Sequence, residues 1–256
     1  MKFIFYSVRN GFRTFMCQKN NFMIYWINNL FSILLVVFLW QQILKYSSAN
    51  QSNSQIVYLI LAQMILAITP EIIYRYSQLI QSGDIAYKLL LPVKFEFWLL
   101  LDTLGYSLAK LLIIFPLDMG IVFIFFPGSL SIMSGLLLLL LFPMTFVLGF
   151  TIELLFSSVT LFTYSVWGIN TIKSAVLMVL SGAYFPVSLL PSAMKKFVSV
   201  LPFSYAYGQY AEVIITPTVA NVSLLVIPQI IWTIILYWFY VMISRVGFKQ
   251  FVTQGG

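Results

Sequence analysis

Histidine is absent from the 256-residue chain, which removes the commonest general base and metal ligand. Cysteine occurs once, as Cys17, so no internal disulfide can form and cysteine usage says nothing of the redox compartment. Charge is scarce too: 8% of residues are charged, against about a quarter in an ordinary soluble domain. No GxxxxGK[ST] string is present to cradle a nucleotide's phosphates. No repeat period stands out, and no linker rich in proline, glycine and serine divides the chain. Without a Ser-base pair or a metal-ligand cluster, an intramembrane enzyme acting on lipid has little support. The chain reads as one non-enzymatic domain, residues 1–256.

What is present is apolar length. Hydrophobic residues make up 61% of the chain, in runs that reach the ~20 residues a helix needs to cross a bilayer. These runs are apolar all round, whereas barrel strands alternate, so the expected fold class is an all-α membrane protein. Six spans are predicted: Phe22–Leu44, Ile56–Tyr74, Phe95–Phe126, Ile132–Phe162, Thr171–Leu190 and Asn221–Ser244. Pro116 should kink the third, and Pro127-Gly128-Ser129 turns the chain after it. The fourth and fifth are divided at Thr163–Asn170, with an earlier division at Ser157-Ser158 as the alternative. A short polar loop, Lys45–Gln55, joins the first two.

The net charge of +7 invites a nucleic-acid partner, but basic residues also mark the cytoplasmic loops of membrane proteins. With both termini inside, Lys2, Arg9, Arg13, Lys19, Arg75, Lys88, Lys94, Lys173, Arg245 and Lys249 are cytoplasmic. Lys45, Lys195 and Lys196 lie outside, and Lys110 falls within a span. That bias sets the expected orientation and makes a nucleic-acid partner unnecessary.

Residues 1–20 carry recurring charges and no signal-peptide core. At 100° per residue Phe5, Val8, Phe12 and Phe15 share a face, Lys2, Arg9 and Arg13 flank it, and Ser7, Asn10, Thr14 and Gln18 lie opposite. An amphipathic helix in the cytoplasmic interface follows, with basic side chains toward lipid phosphates. A helix packed on a partner protein is the other reading.

The central loop, residues 75–94, is the one clearly charged interruption in the first half. Ser82-Gly83-Asp84 reads as a turn with Asp84 as N-cap, followed by a helix over Ile85–Leu91 that Pro92 stops. Ile85, Leu89 and Tyr87 offer apolar contact and Lys88 a charge. Between spans five and six, residues 186–217 are too apolar for a free loop and too broken for a span. Short helices are predicted from Ser192 to Val200 and from Tyr205 to Ile215, forming a hairpin that dips back into the outer leaflet. Phe185, Pro186, Pro202, Phe203 and Tyr205 border it and are candidates to seal an outer mouth. Trp98, Trp167, Tyr184, Tyr205, Tyr207 and Tyr210 fall near interfaces, where aromatic belts are expected.

Ionisable groups inside the spans cost about 2.5–3.5 kcal/mol each on insertion scales, so Asp102, Lys110, Asp118 and Glu153 should face protein or water. They are candidates for a translocation pathway, with inter-helix pairing or snorkelling as the structural alternative. Asp102 and Lys110 lie eight residues apart, about 12 Å along a helix, and do not meet. Lys110 is expected to pair with Glu153 or with an acid of a partner subunit.

Two stretches carry a resemblance. SGDIAYKLLLPVKFEFW resembles the loop before the third span in the permease subunits of type-2 ATP-binding-cassette exporters. LSGAYFPVSLLPSAMKKFVSVLPFSYAYG resembles that family's pattern near its outer hairpin, and the order of elements agrees over the whole chain. The small permeases that often work as pairs of different subunits look closest. The resemblance implies that Gly83, Asp84, Ile85, Tyr87, Lys88, Leu89, Leu90 and Pro92 form a coupling helix to a cytoplasmic ATPase. It implies two copies of that ATPase, which would carry ATP and Mg, and a second permease chain, identical or different. The expected activity is outward export of an amphipathic or hydrophobic cargo (peptide, drug or lipid-linked molecule) across a plasma membrane, bacterial on this reading. LSGAY at Leu180–Tyr184 echoes an ATPase signature only by coincidence, since it lies in an apolar span. An ion- or proton-coupled transporter using the buried carboxylates is the alternative, although no inverted repeat is visible.

Overall fold

The computed structural model describes residues 2–17, 19–45, 52–90, 92–163 and 165–251, and it contains no strand among them. Helix α1 (Lys2–Cys17) leads into α2 (Lys19–Lys45), followed by α3 (Ser52–Ile68), α4 (Ile73–Gln81) and the five-residue α5 (Ile85–Leu89). The long α6 (Phe95–Phe125) and α7 (Ile132–Val159) come next, then α8 (Val166–Leu180). A 3-10 turn (Val187–Leu189) precedes α9 (Ser192–Val200), α10 (Pro202–Ala206), α11 (Gly208–Ile215) and the final α12 (Val219–Phe251).

Among the described residues five stretches are long and apolar enough to cross a membrane: Met23–Ile43, Asn53–Gln81, Phe95–Phe125, Ile132–Val159 and Val219–Lys249. The predicted fifth span is shorter than expected. Its helix starts early, at Val166, and ends at Leu180 after 15 residues. At 1.5 Å per residue that is about 22 Å, less than the ~30 Å of a hydrocarbon core. The chain bends there because Gly182 takes a positive φ of 76°, which a side chain would resist, and Pro186 follows. The division at Thr163–Asn170 only overlaps the break, which falls between Val159 and Val166 so that Val166–Asn170 are already helical, and Ser157-Ser158 lies in the last turn of α7. The last helix overruns its predicted ends, and Pro228 sits inside it without breaking it. Pro116 likewise lies within an unbroken α6. Most of the predicted loop Lys45–Gln55 lies outside the described residues; from Ser52 on it is helical.

Burial separates stretches that apolarity does not. In the most apolar window of the α3–α4 stretch 83% of residues are buried, whereas in α2 the figure is 11% and in α12 17%. The main core forms around α3, where Leu59, Ile60, Leu61 and Met64 are fully enclosed. A second cluster gathers Tyr76, Ile80, Ile85, Phe95, Trp98 and Tyr240 where α4, α5 and the start of α6 meet α12.

The face that α1 buries differs from the predicted one. Ser7, Gly11 and Phe15 are buried, while Phe5 is exposed. A Cβ on Gly11 would run into the backbone of Asp102, and one on Gly105 into the backbone of Val8. The two glycines let the α1 and α6 backbones touch, and that contact sets the rotation of α1. Phe3 packs on the cluster at Phe95, and Phe15 meets Tyr106 edge-on at 4.9 Å. Thus α1 runs beside the first turns of α6, in the same direction.

Candidate functional site

The second crossing is broken in mid-course. Pro70 cannot donate to the α3 ladder and disfavours a helical Thr69, so the helix stops at Ile68 and resumes at Ile73. Backbone groups freed inside an apolar bundle need partners. Glu153 of α7 supplies one, its Oε2 accepting from the Ile72 amide at 3.0 Å beside the N-terminus of α4. Its other oxygen accepts from Lys173 of α8 at 2.6 Å, and both side chains are buried. The break, α7 and α8 are thereby joined by one carboxylate.

A cavity of about 310 Å³ opens next to this junction. Tyr25, Asn28, Asn29 and Ser32 of α2 line it together with Gln63 and Ala67 of α3, and Glu71, Lys110, Glu153 and Lys173 are its charged residues. Its wall is polar in the middle of an apolar protein, a feature that marks pathways and binding sites in membrane proteins. Of the four predicted intramembrane groups, the structure brings Lys110 and Glu153 to this cavity.

They do not pair with each other, contrary to expectation. Glu153 is taken by Lys173, a residue predicted to be cytoplasmic and found 3% exposed. Lys110 donates to the Ala67 carbonyl at 3.1 Å and stands 4.8 Å from the Tyr25 ring and 5.4 Å from the Tyr106 ring. Asp118 lies elsewhere on α6 and accepts from Asn29 at 2.8 Å, while its second oxygen has no partner among the described residues. Asp102 ion-pairs with Arg75 of α4 and accepts from Asn10 of α1 at 3.1 Å. It is fully buried and joins α1, α4 and α6 away from the cavity. Sequence reading missed Glu71, Lys173, Asn29 and Gln63. The first two were visible as charges in or beside apolar runs, but the pairing of Glu153 needed the third dimension.

The loop residues form a small exposed element. Gly83 adopts φ 76°, the left-handed turn that the Ser82-Gly83-Asp84 string predicts. The predicted cap is absent: the Asp84 side chain makes no capping bond and instead accepts from the Ser82 hydroxyl at 2.8 Å. The helix also ends two residues early, at Leu89 rather than Leu91, ahead of Pro92. Ile85 anchors it in the second core cluster, while Tyr87 (74% exposed), Leu89 and Leu90 (82% exposed) point away. Lys88 lies over the Trp98 ring at 4.3 Å, and Arg75 stands 5.4 Å from the same ring. Through Trp98, Arg75 and Asp102, α5 is therefore linked to α6, α4 and α1.

At the far end of the bundle the predicted short helices appear, with Ser192 as the first residue of α9 rather than its cap. The second predicted helix, Tyr205–Ile215, is divided at Tyr207 into α10 and α11. The turn before them is pinned to the core: Tyr58 donates to Gly182 O at 2.9 Å and Gln63 to Ala183 O at 2.9 Å. Of the proposed gate residues, Pro186 and Pro202 are buried and Phe203 and Tyr205 half-buried, whereas Phe185 is exposed. The Phe185 ring meets Trp40 edge-on at 6.3 Å, and the Tyr205 carbonyl accepts from Gln229 at 2.9 Å.

Among the described residues no group of histidine, cysteine and carboxylate side chains could hold a metal ion. No family model matches the chain, and no curated protein matches it either. What the fold and the site establish together is a multi-helix protein with five membrane-length apolar stretches and a polar, charged cavity among them.

Proposed function

We propose that the chain is the permease subunit of a type-2 ATP-binding-cassette exporter, moving an amphipathic or hydrophobic cargo outward by alternating access. The observation that carries this reading is α5: anchored inward by Ile85, it presents Tyr87, Leu89 and Leu90 to a partner and grips Trp98 at the base of α6 through Lys88. A push on α5 is passed to the long helices by that contact. On this reading α8, with the buried Ser181–Ala183 turn behind it, completes a sixth crossing. Helix α1 packs along the cytoplasmic end of α6 rather than flat in the interface, α9 to α11 form the re-entrant outer hairpin, and both termini are cytoplasmic. The ATP and Mg belong to two copies of a separate ATPase, and a second permease, identical or different, completes the complex in a plasma membrane, bacterial by the resemblance.

The reading is tested by placing a thiol on α5. In a Cys17→Ser background, Leu90→Cys and a short thiol–amine crosslinker should trap a soluble ATPase in native membranes. Crosslinks to lipid-side proteins only, with no nucleotide-binding partner, overturn it. The ion-coupled alternative has one observation in its favour, the unpartnered oxygen of buried Asp118. It predicts transport that Asp118→Asn abolishes and that continues without ATP.

A further inference from the structure

The cavity wall carries four charged side chains that are not equivalent. Glu153 and Lys173 neutralise each other at 2.6 Å. Lys110 and Glu71 also face the cavity, and neither has an ion-pair partner among the described residues. Lys110 is 4% exposed and makes one hydrogen bond to a backbone carbonyl, although an ammonium carries three donors. Two aromatic rings favour its charge without neutralising it. A buried cation is costly, and this one spends a single donor on the Ala67 carbonyl at the end of α3, with no carboxylate in contact among the described residues. Glu71 stands exposed within the span break, and Asn28, Ser32 and Ser174 line the same cavity with neutral hydrogen-bonding groups.

We propose that this cavity is a recognition site for a zwitterionic group, with Lys110 binding the ligand's carboxylate or phosphate and Glu71 its ammonium. Two opposite charges that share a polar cavity and do not reach each other suit a molecule that carries both. A volume of about 310 Å³ lies at the lower end of small-ligand sites, enough for a headgroup or a short peptide and too little for a lipid with its tails. The shared chemistry has two sources: the termini of a small peptide or the phosphoethanolamine headgroup of a lipid. That such a ligand is cargo rests on the exporter reading; that it binds does not.

The test is equilibrium binding to the purified full-length chain in mild detergent, with four probes. Leucyl-leucine and dihexanoyl-phosphatidylethanolamine carry both charges, dihexanoyl-phosphatidylglycerol only the acid, and hexylamine only the amine. At least one zwitterion should bind about tenfold or more tightly than either single-charge probe. Lys110→Met should weaken it about tenfold or more, Lys110→Arg should largely restore it, and Glu71→Gln should remove the preference over the acid-only probe. Whichever zwitterion binds identifies the source. The proposal is overturned if no probe binds, if the acid-only probe binds as tightly as both zwitterions, or if Glu71→Gln and Lys110→Met bind like the wild type. Should Lys110→Met fail to elute as a monodisperse protein, the Lys110→Arg and Glu71→Gln arms decide alone. Because no ATPase is present, failure here leaves the exporter reading standing, and loss of that reading leaves the binding result intact.

Discussion

Glu153 with Lys173, and Lys110 with Glu71, occupy the same cavity wall and differ in what they do there. The first two are in contact, buried, and tied to the broken backbone through the Ile72 amide, so every charge has a local purpose. The second two are apart, and Lys110 rests on a carbonyl and two rings. A closed pair holds helices together, whereas an open pair leaves charge for something else. Composition makes the two indistinguishable, and only geometry sorts a closed pair from an open one.

The comparison can be broken by mutation, and the largest effect belongs to the closed pair. Either Glu153→Gln or Lys173→Met alone leaves a buried charge without its partner and should cost about 3–5 kcal/mol, while the double variant should recover most of it. Thermal unfolding in detergent reads both. The α1–α6 contact comes next: Gly105→Ala forces a Cβ into the Val8 backbone and should cost about 1–3 kcal/mol, seen as faster proteolysis of α1. Asp102→Asn loses an ion pair whose arginine is partly exposed, so about 1 kcal/mol is expected in the same melt. Lys110→Met, by contrast, should cost no more than about 1 kcal/mol, because the Ala67 carbonyl it leaves unpaired is offset by removal of a buried charge. A Lys110→Met loss as large as that of Lys173→Met would erase the distinction between the pairs. Smallest of all, Tyr87→Ser, Leu89→Ser and Leu90→Ser should each stay within about 0.5 kcal/mol, since these side chains are exposed.

The helical class and most boundaries were legible because apolar length and proline or glycine stops act locally. Helix α9 and the start of α6 at Phe95 fall where composition places them. Hydropathy could not say that α3 is enclosed while α2 is bare, since lipid and protein interior are equally apolar solvents. The rotation of α1 was misread for a related reason. An amphipathic pattern weights large side chains, but Gly11 and Gly105 decide the contact by being small. The shortness of α8 hid inside continuous hydropathy, where only Gly182 and Pro186 marked the bend. Among the site residues, Lys110 and Glu153 stand out in the sequence as intramembrane charges, but the fold gives Glu153 to Lys173 instead of Lys110. Spacing along one helix carries no information about what a second helix brings opposite.

The central claim is that α5 is a docking element for a separate ATPase, and it is tested most directly by purifying the chain from its native cells in mild detergent. Mass spectrometry would identify what accompanies it, and an ATPase assay would show whether the partner is active. The account predicts a soluble ATPase in stoichiometric amount, released when Tyr87, Leu89 and Leu90 are all replaced by serine while the chain itself stays folded. A chain that purifies alone and transports without ATP would contradict it.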